Sequence, residues 1–142
     1  MSQDDLPIGE AARLSGVKAP TIRYYEDIGL LPPPPRTLGN RRAFDAARLR
    51  RLSFIRHARE LGFEIDAIRA LLKLQDHPDQ SCASADTIAR ARLAEVDRRI
   101  VSLSALKLEL QHMIDECSRG TVAECRIIET LADSAHVHGR LT

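Results

Sequence analysis

Ile8-Gly9-Glu10-Ala11-Ala12-Arg13-Leu14-Ser15-Gly16-Val17-Lys18-Ala19-Pro20-Thr21-Ile22-Arg23-Tyr24-Tyr25-Glu26-Asp27 is the stretch that decides the fold. It reads as two short helices around a glycine-bearing turn. In the first, Ile8, Ala11, Ala12 and Leu14 are expected to share a face, and Pro7 suits the first turn. Ser15-Gly16-Val17 breaks the pattern, because glycine accommodates a tight turn. A second helix is predicted over Ala19 to Asp27, with Pro20 tolerated in its first turn. Ile22 and Tyr25, three apart, anchor inward; Lys18, Thr21, Arg23 and Tyr24 are left outward. Such a helix-turn-helix places its second helix in the DNA major groove.

Downstream, Gly29 stops the second helix and Pro32-Pro33-Pro34-Pro35 imposes a stiff, extended path. In Arg36 to Phe44, the Gly39-Asn40 turn signal predicts a β-hairpin wing. A third helix is expected over Ala46 to Leu61, with Leu49, Leu52, Phe54, Ile55 and Ala58 inward and Gly62 as cap. A fourth follows over Ile65 to Leu74, with Ile65, Ile68, Leu71 and Leu72 inward. Net charge is only +1, yet Arg36, Arg41, Arg42, Arg48, Arg50, Arg51, Arg56 and Arg59 face only Asp45 within their span. The basic charge is therefore local, as a phosphate footprint requires.

No Pro or Gly interrupts Ser84 to Glu116. Leu93, Val96, Ile100, Leu103, Lys107, Leu110, Ile114 and Cys117 alternate spacings of three and four, a coiled-coil seam broken only by Lys107. The helix is about 50 Å long. Its stripe is too long for an 80-residue head to cover, so a second copy of the chain is expected on it. A short helix over Arg126 to Ala132 and a frayed tail from Ser134 to Thr142 complete the reading. The acidic N-terminus Met1-Ser2-Gln3-Asp4-Asp5 is unlike a secretion signal, and no apolar run approaches the roughly 20 residues that span a bilayer. A cytosolic place, with no membrane partner, is expected; there the three cysteines, an odd number, stay reduced. Cys82 falls in a polar break, Cys117 ends the seam, and Cys125 lies across a seven-residue loop. Thiolates so placed suit a soft metal ion. No base stands at fixed spacing to a cysteine and no Gly-rich phosphate loop occurs, so a metal-trafficking or thiol enzyme is not expected.

Together, Ile8 to Ala12, Thr21 to Glu26, Gly29 to Pro32, Arg36 to Phe44, Phe63 to Leu74 and the long helix resemble the MerR family of transcription regulators. The match covers nearly the whole chain. The resemblance implies a mainly α fold: a winged helix-turn-helix domain at 1–76, a hinge at 77–83, an antiparallel coiled-coil dimerisation helix at 84–117, and a metal-binding loop, short helix and tail at 118–142. It implies a homodimer on double-stranded promoter DNA that untwists the promoter for RNA polymerase when its effector binds. One departure is visible: Gly39-Asn40-Arg41 places Gly one position early and Arg41 where the family commonly has Tyr. On this footing Arg23 and Lys18 are assigned to base edges, where a bidentate Arg–guanine contact discriminates by about 1–3 kcal/mol. Thr21, Tyr24, Arg36, Arg41, Arg42 and Arg56 are assigned to phosphates.

Within that family the chain looks like the metal-responsive branch, with two cysteines around a short loop before an Ile127-Ile128 helix. The resemblance implies that Cys82 of one protomer joins Cys117 and Cys125 of the other. Three thiolates suit divalent Hg, Pb or Cd; Zn would need a fourth donor, with Glu116, Glu124, His112, His136 and His138 the candidates. The tail histidines are also open to a second site. The seven-residue loop matches the copper type in length, so Cu(I) bound by Cys117 and Cys125 is the alternative. A constitutive DNA binder with cysteines used only for packing is the rival from another class.

Overall fold

The structure, a computed structural model, describes residues 6–32, 43–117 and 120–139. The chain divides into two compact units, Met1–Ile88 and Ala89–Thr142. The first holds helices α1 (Ile8–Ser15), α2 (Ala19–Asp27), α3 (Ala46–Glu60) and α4 (Ile65–Gln75). Helix α5 (Ala83–Asp115) follows, then a single 3-10 turn at Val122–Glu124 and α6 (Arg126–Ala132). The architecture is mainly helical, with an N-terminal helix-turn-helix and a long helix after it.

Gly16 ends α1 at φ 74°, and its N–H donates to the Ala12 carbonyl. The left-handed conformation costs glycine little and any Cβ more. The following turn packs α2 against α1, and α1 also packs against α3. Ile22, Leu30, Leu31, Phe44, Leu52, Ile55, Ile68 and Leu72 are each less than 2% exposed. Each such burial is worth about 1.5–3 kcal/mol before conformational entropy is counted. Phe44 is also pinned by its backbone: Leu6 and Phe44 exchange N–H to carbonyl bonds of 2.8 and 2.7 Å. The Asp45 carboxylate caps α3 by accepting from the Arg48 N–H at 2.9 Å, a device worth about 1 kcal/mol.

The inward positions Ile22, Tyr25, Leu52, Ile55, Ala58, Ile68 and Leu72 are buried as expected. Leu14 is not: it is 53% exposed, and Ser15 is buried in its place. At about 100° per residue, position 14 stands well off the Ile8–Ala11–Ala12 face whereas position 15 returns to it. The Ser15 hydroxyl accepts from the Val17 N–H at 3.2 Å, which lets a polar side chain sit in the core. The predicted wing around Gly39-Asn40 lies outside the described residues.

Along α5 the seam residues Leu93, Ile100, Leu103, Leu110 and Ile114 are half or more exposed in the single chain. Among the described residues of the second unit only Met113 is buried among the large hydrophobics. It lines a polar cavity of about 350 Å³ between the end of α5, α6 and His136. Within the described part of the expected tail, His136 Nε2 lies 2.6 Å from Glu109 Oε1 of α5. Among the described residues no helix is long and apolar enough to cross a membrane.

Candidate nucleic-acid face and thiol loop

Helix α2 alternates its uses along its length. Ile22 and Tyr25 are consumed by the core, so Lys18, Arg23 and Tyr24 are exposed and Thr21 is half-buried. Lys18 stands at the N-cap of α2, with Pro20 in the first turn. Helix α2 and its N-cap thus carry two cations and two hydroxyls, a chemistry suited to base edges and phosphate oxygens.

The arginines of α3 are less uniform than their spacing suggested. Arg51 Nε donates to the Leu30 carbonyl at 3.1 Å, and its Nη1 pairs with Asp76 at 3.1 Å. Arg48 pairs with Asp45 at 3.1 Å. Arg59 donates to the Phe63 carbonyl at 3.2 Å. These guanidiniums tie loops and helix ends together inside the head. Arg56, assigned to phosphate, is paired with Glu60 at 2.9 Å, and its Cδ would stand 3.4 Å from a Cβ built at Gly16. A phosphate at Arg56 would share the guanidinium with Glu60 or displace it. Arg36, Arg41 and Arg42 lie outside the described residues.

The three cysteines are unpaired thiols. Cys82 is exposed immediately before α5, and its carbonyl accepts the N–H of Asp86 at 3.0 Å. Cys117 and Cys125 are half-buried. Cys117 closes the end of α5 through its N–H to the Ile114 carbonyl at 3.1 Å. Cys125 precedes α6, and the turn before it is closed by its own N–H to the Val122 carbonyl at 3.1 Å. The Ile128 N–H at the start of α6 holds the Cys125 thiol below its usual range against an upward push from burial, with lesser help from the Ile127 N–H and the Cys117 thiol. Helix-terminal amides favour the anionic sulfur, the form that binds metals. The fold thus brings Cys117 and Cys125 into contact as a two-thiol pair.

Glu116, His112, His136 and His138, four of the further donors, have other neighbours. Glu116 Oε2 accepts from Arg126 Nε at 2.9 Å, and Glu116 Oε1 lies 3.6 Å from His112 Nδ1. His136 faces Glu109, and His138 Nδ1 lies 2.7 Å from the Gly139 carbonyl. Among the described residues, no three His, Cys, Asp or Glu side chains of one chain are grouped so as to hold an ion. Sequence reasoning missed Arg51, Arg126 and Met113 as positioning residues. Only Arg126, next to Cys125, carried a signal, as a charge bordering a candidate ligand.

The model for the MerR HTH family regulatory protein matches residues 6–75, and the model described as MerR, DNA binding matches residues 49–113. The chain is 39% identical over 128 residues to the HTH-type transcriptional regulator HmrR of Rhizobium leguminosarum, covering 90% of this chain and 98% of the relative. It resembles the solved transcription regulator PbrR691 of Ralstonia metallidurans in complex with lead(II), with TM-score 0.77 and 38% identity over 89% of this chain and 99% of that one. It also resembles the regulator MerR of Bacillus megaterium in complex with mercury(II), with TM-score 0.69 and 30% identity over 90% and 100%.

Proposed function

Because the chain belongs to the MerR family of helix-turn-helix transcription regulators, we propose that it is a homodimer that answers a divalent soft metal ion, such as Cd, Pb, Hg or Zn, by distorting its promoter. The observation that carries the metal reading is the meeting of Cys117 and Cys125 with a Cys125 thiol held toward its anion. A soft ion fits this donor set, and when bound it would supply a fixed link between thiolates. Two sulfurs leave a divalent ion short of ligands, so Cys82 of the partner protomer is assigned as the third. An antiparallel seam along α5 carries this assignment, since it sets the start of one α5 beside the end of the other.

The divalent choice is supported by the lead(II) and mercury(II) complexes of the similar proteins. Cu(I), which the seven-residue loop left open, is not favoured by them. Lys18, Arg23, Thr21 and Tyr24 hold DNA through α2, and Arg36, Arg41, Arg42 and Arg56 add phosphate contacts. Bending or untwisting a promoter costs on the order of 1–6 kcal/mol, which contacts from two heads can offset. The distorted promoter then aligns its elements for RNA polymerase.

The test is transcription in vitro from the cognate promoter across Cd(II), Pb(II), Hg(II), Zn(II) and Cu(I), with stoichiometry measured in parallel. Activation by a divalent ion that is lost in Cys82→Ser supports the reading. Activation by Cu(I) alone, retained in Cys82→Ser, moves the chain to the copper type. No metal-dependent change in transcription leaves a constitutive DNA binder with packing cysteines.

A further inference from the structure

The residues bordering the two loop thiols carry opposite charges and touch. Glu116 precedes Cys117 and is fixed at the end of α5 by its N–H to the His112 carbonyl at 3.0 Å. Arg126 follows Cys125 as the first residue of α6. Their side chains meet at 2.9 Å, Arg126 Nε donating to Glu116 Oε2. Seven residues separate the cysteines, and a fully extended chain of that length would let its ends drift roughly 25 Å apart. We propose that the Glu116–Arg126 ion pair is a clasp that closes the loop and sets Cys117 beside Cys125 before any ion arrives. This rests on the reading of that loop as the metal site, and it assigns Glu116 to positioning rather than to ligation.

The surroundings support a clasp and not a chance encounter. The second carboxylate oxygen of Glu116 lies 3.6 Å from His112 Nδ1 on its own helix, an ion pair only when the imidazole is protonated. Arg126 is steadied in turn by Glu129 at 3.6 Å. The carboxylate thus has a close cationic partner on α6 and an imidazole nearby on its own helix. A direct helix-to-helix tether at this point shortens the search of each thiol for the other. Both side chains are about half exposed, at 49% and 48%, so the clasp is screened by salt and works as a tuner.

The experiment reads thiol proximity without any metal. In the metal-free full chain carrying Cys82→Ser, diamide oxidises Cys117 and Cys125 to a disulfide; its N=N bond takes up the two thiol hydrogens. Normalising that rate to alkylation of each thiol by iodoacetamide removes changes in thiol acidity and leaves effective concentration. Glu116→Gln and Arg126→Gln are each expected to lower it by about 2–5-fold at low salt, and the loss should shrink in 1 M NaCl. The swap Glu116→Arg with Arg126→Glu should restore most of it, with unchanged helicity by circular dichroism in all three. An unchanged or raised effective concentration in either single variant overturns the clasp, as does a swap that fails to rescue. If transcription proves indifferent to metals, the metal reading falls while this measurement stands on its own.

Discussion

Replacing Ile100 by Asp tests whether the apolar seam of α5 is where two chains meet. Ile100 is 55% exposed in the single chain. Full burial of an isoleucine is worth about 1.5–3 kcal/mol, so covering the exposed half contributes roughly 0.8–1.6 kcal/mol. A two-fold dimer loses this twice, about 2–3 kcal/mol, which raises the dimer dissociation constant by roughly 30–150-fold. The figure is a floor, because each new carboxylate must also be desolvated in an apolar seam. Sedimentation equilibrium across protein concentration measures the shift. Ser102→Asp is the control, since two residues on it points about 200° round the same helix; it adds the same charge away from the seam. Unchanged association in Ile100→Asp, or equal weakening by Ser102→Asp, would refute the assignment of this face to the dimer.

Arg51→Met removes the donor to the buried Leu30 carbonyl and the pair with Asp76. A loss of about 1–3 kcal/mol is expected, or several degrees in Tm, while the salt dependence of DNA affinity stays unchanged; a reduced salt slope would show that Arg51 serves phosphate instead. For Cys125, an iodoacetamide pH–rate profile on the metal-free Cys82→Ser, Cys117→Ser chain should give an apparent pKa below the ordinary 9.0, because the Ile128 and Ile127 amides remain. A depressed folded-state pKa contributes stability present above the unfolded thiol value and lost as pH falls through the folded one. An apparent pKa at or above 9.0 would remove the amide argument.

Periodicity located the helices well where local signals agreed. Helix α2 occupies Ala19–Asp27 and α6 occupies Arg126–Ala132, the spans expected from Pro20, Gly29 and the apolar triplet Ile127, Ile128, Leu131. At Leu14 the helical angle overrides hydrophobicity: a serine with a local hydrogen-bond partner takes the core position instead. The arginines of α3 show a different limit. Spacing reveals that a face is basic, but whether a guanidinium answers a phosphate or a carbonyl depends on what the loop at Leu30 and the end of α4 bring near it. The same holds at the thiols. Their spacing was legible; the ion pair flanking them was not, because it joins residues ten apart through a turn whose path has no sequence code.

The alternation of buried and exposed side chains along α2 bears on how such a protein can change over generations. Ile22 and Tyr25 carry the packing, while Lys18, Arg23 and Tyr24 face solvent. Substitutions at exposed positions away from special features usually alter stability by less than about 0.5 kcal/mol. If Lys18 and Arg23 meet base edges as proposed, operator preference can drift at these two positions without endangering the head, and duplicated copies can diverge toward separate promoters while the scaffold beneath them stays constant.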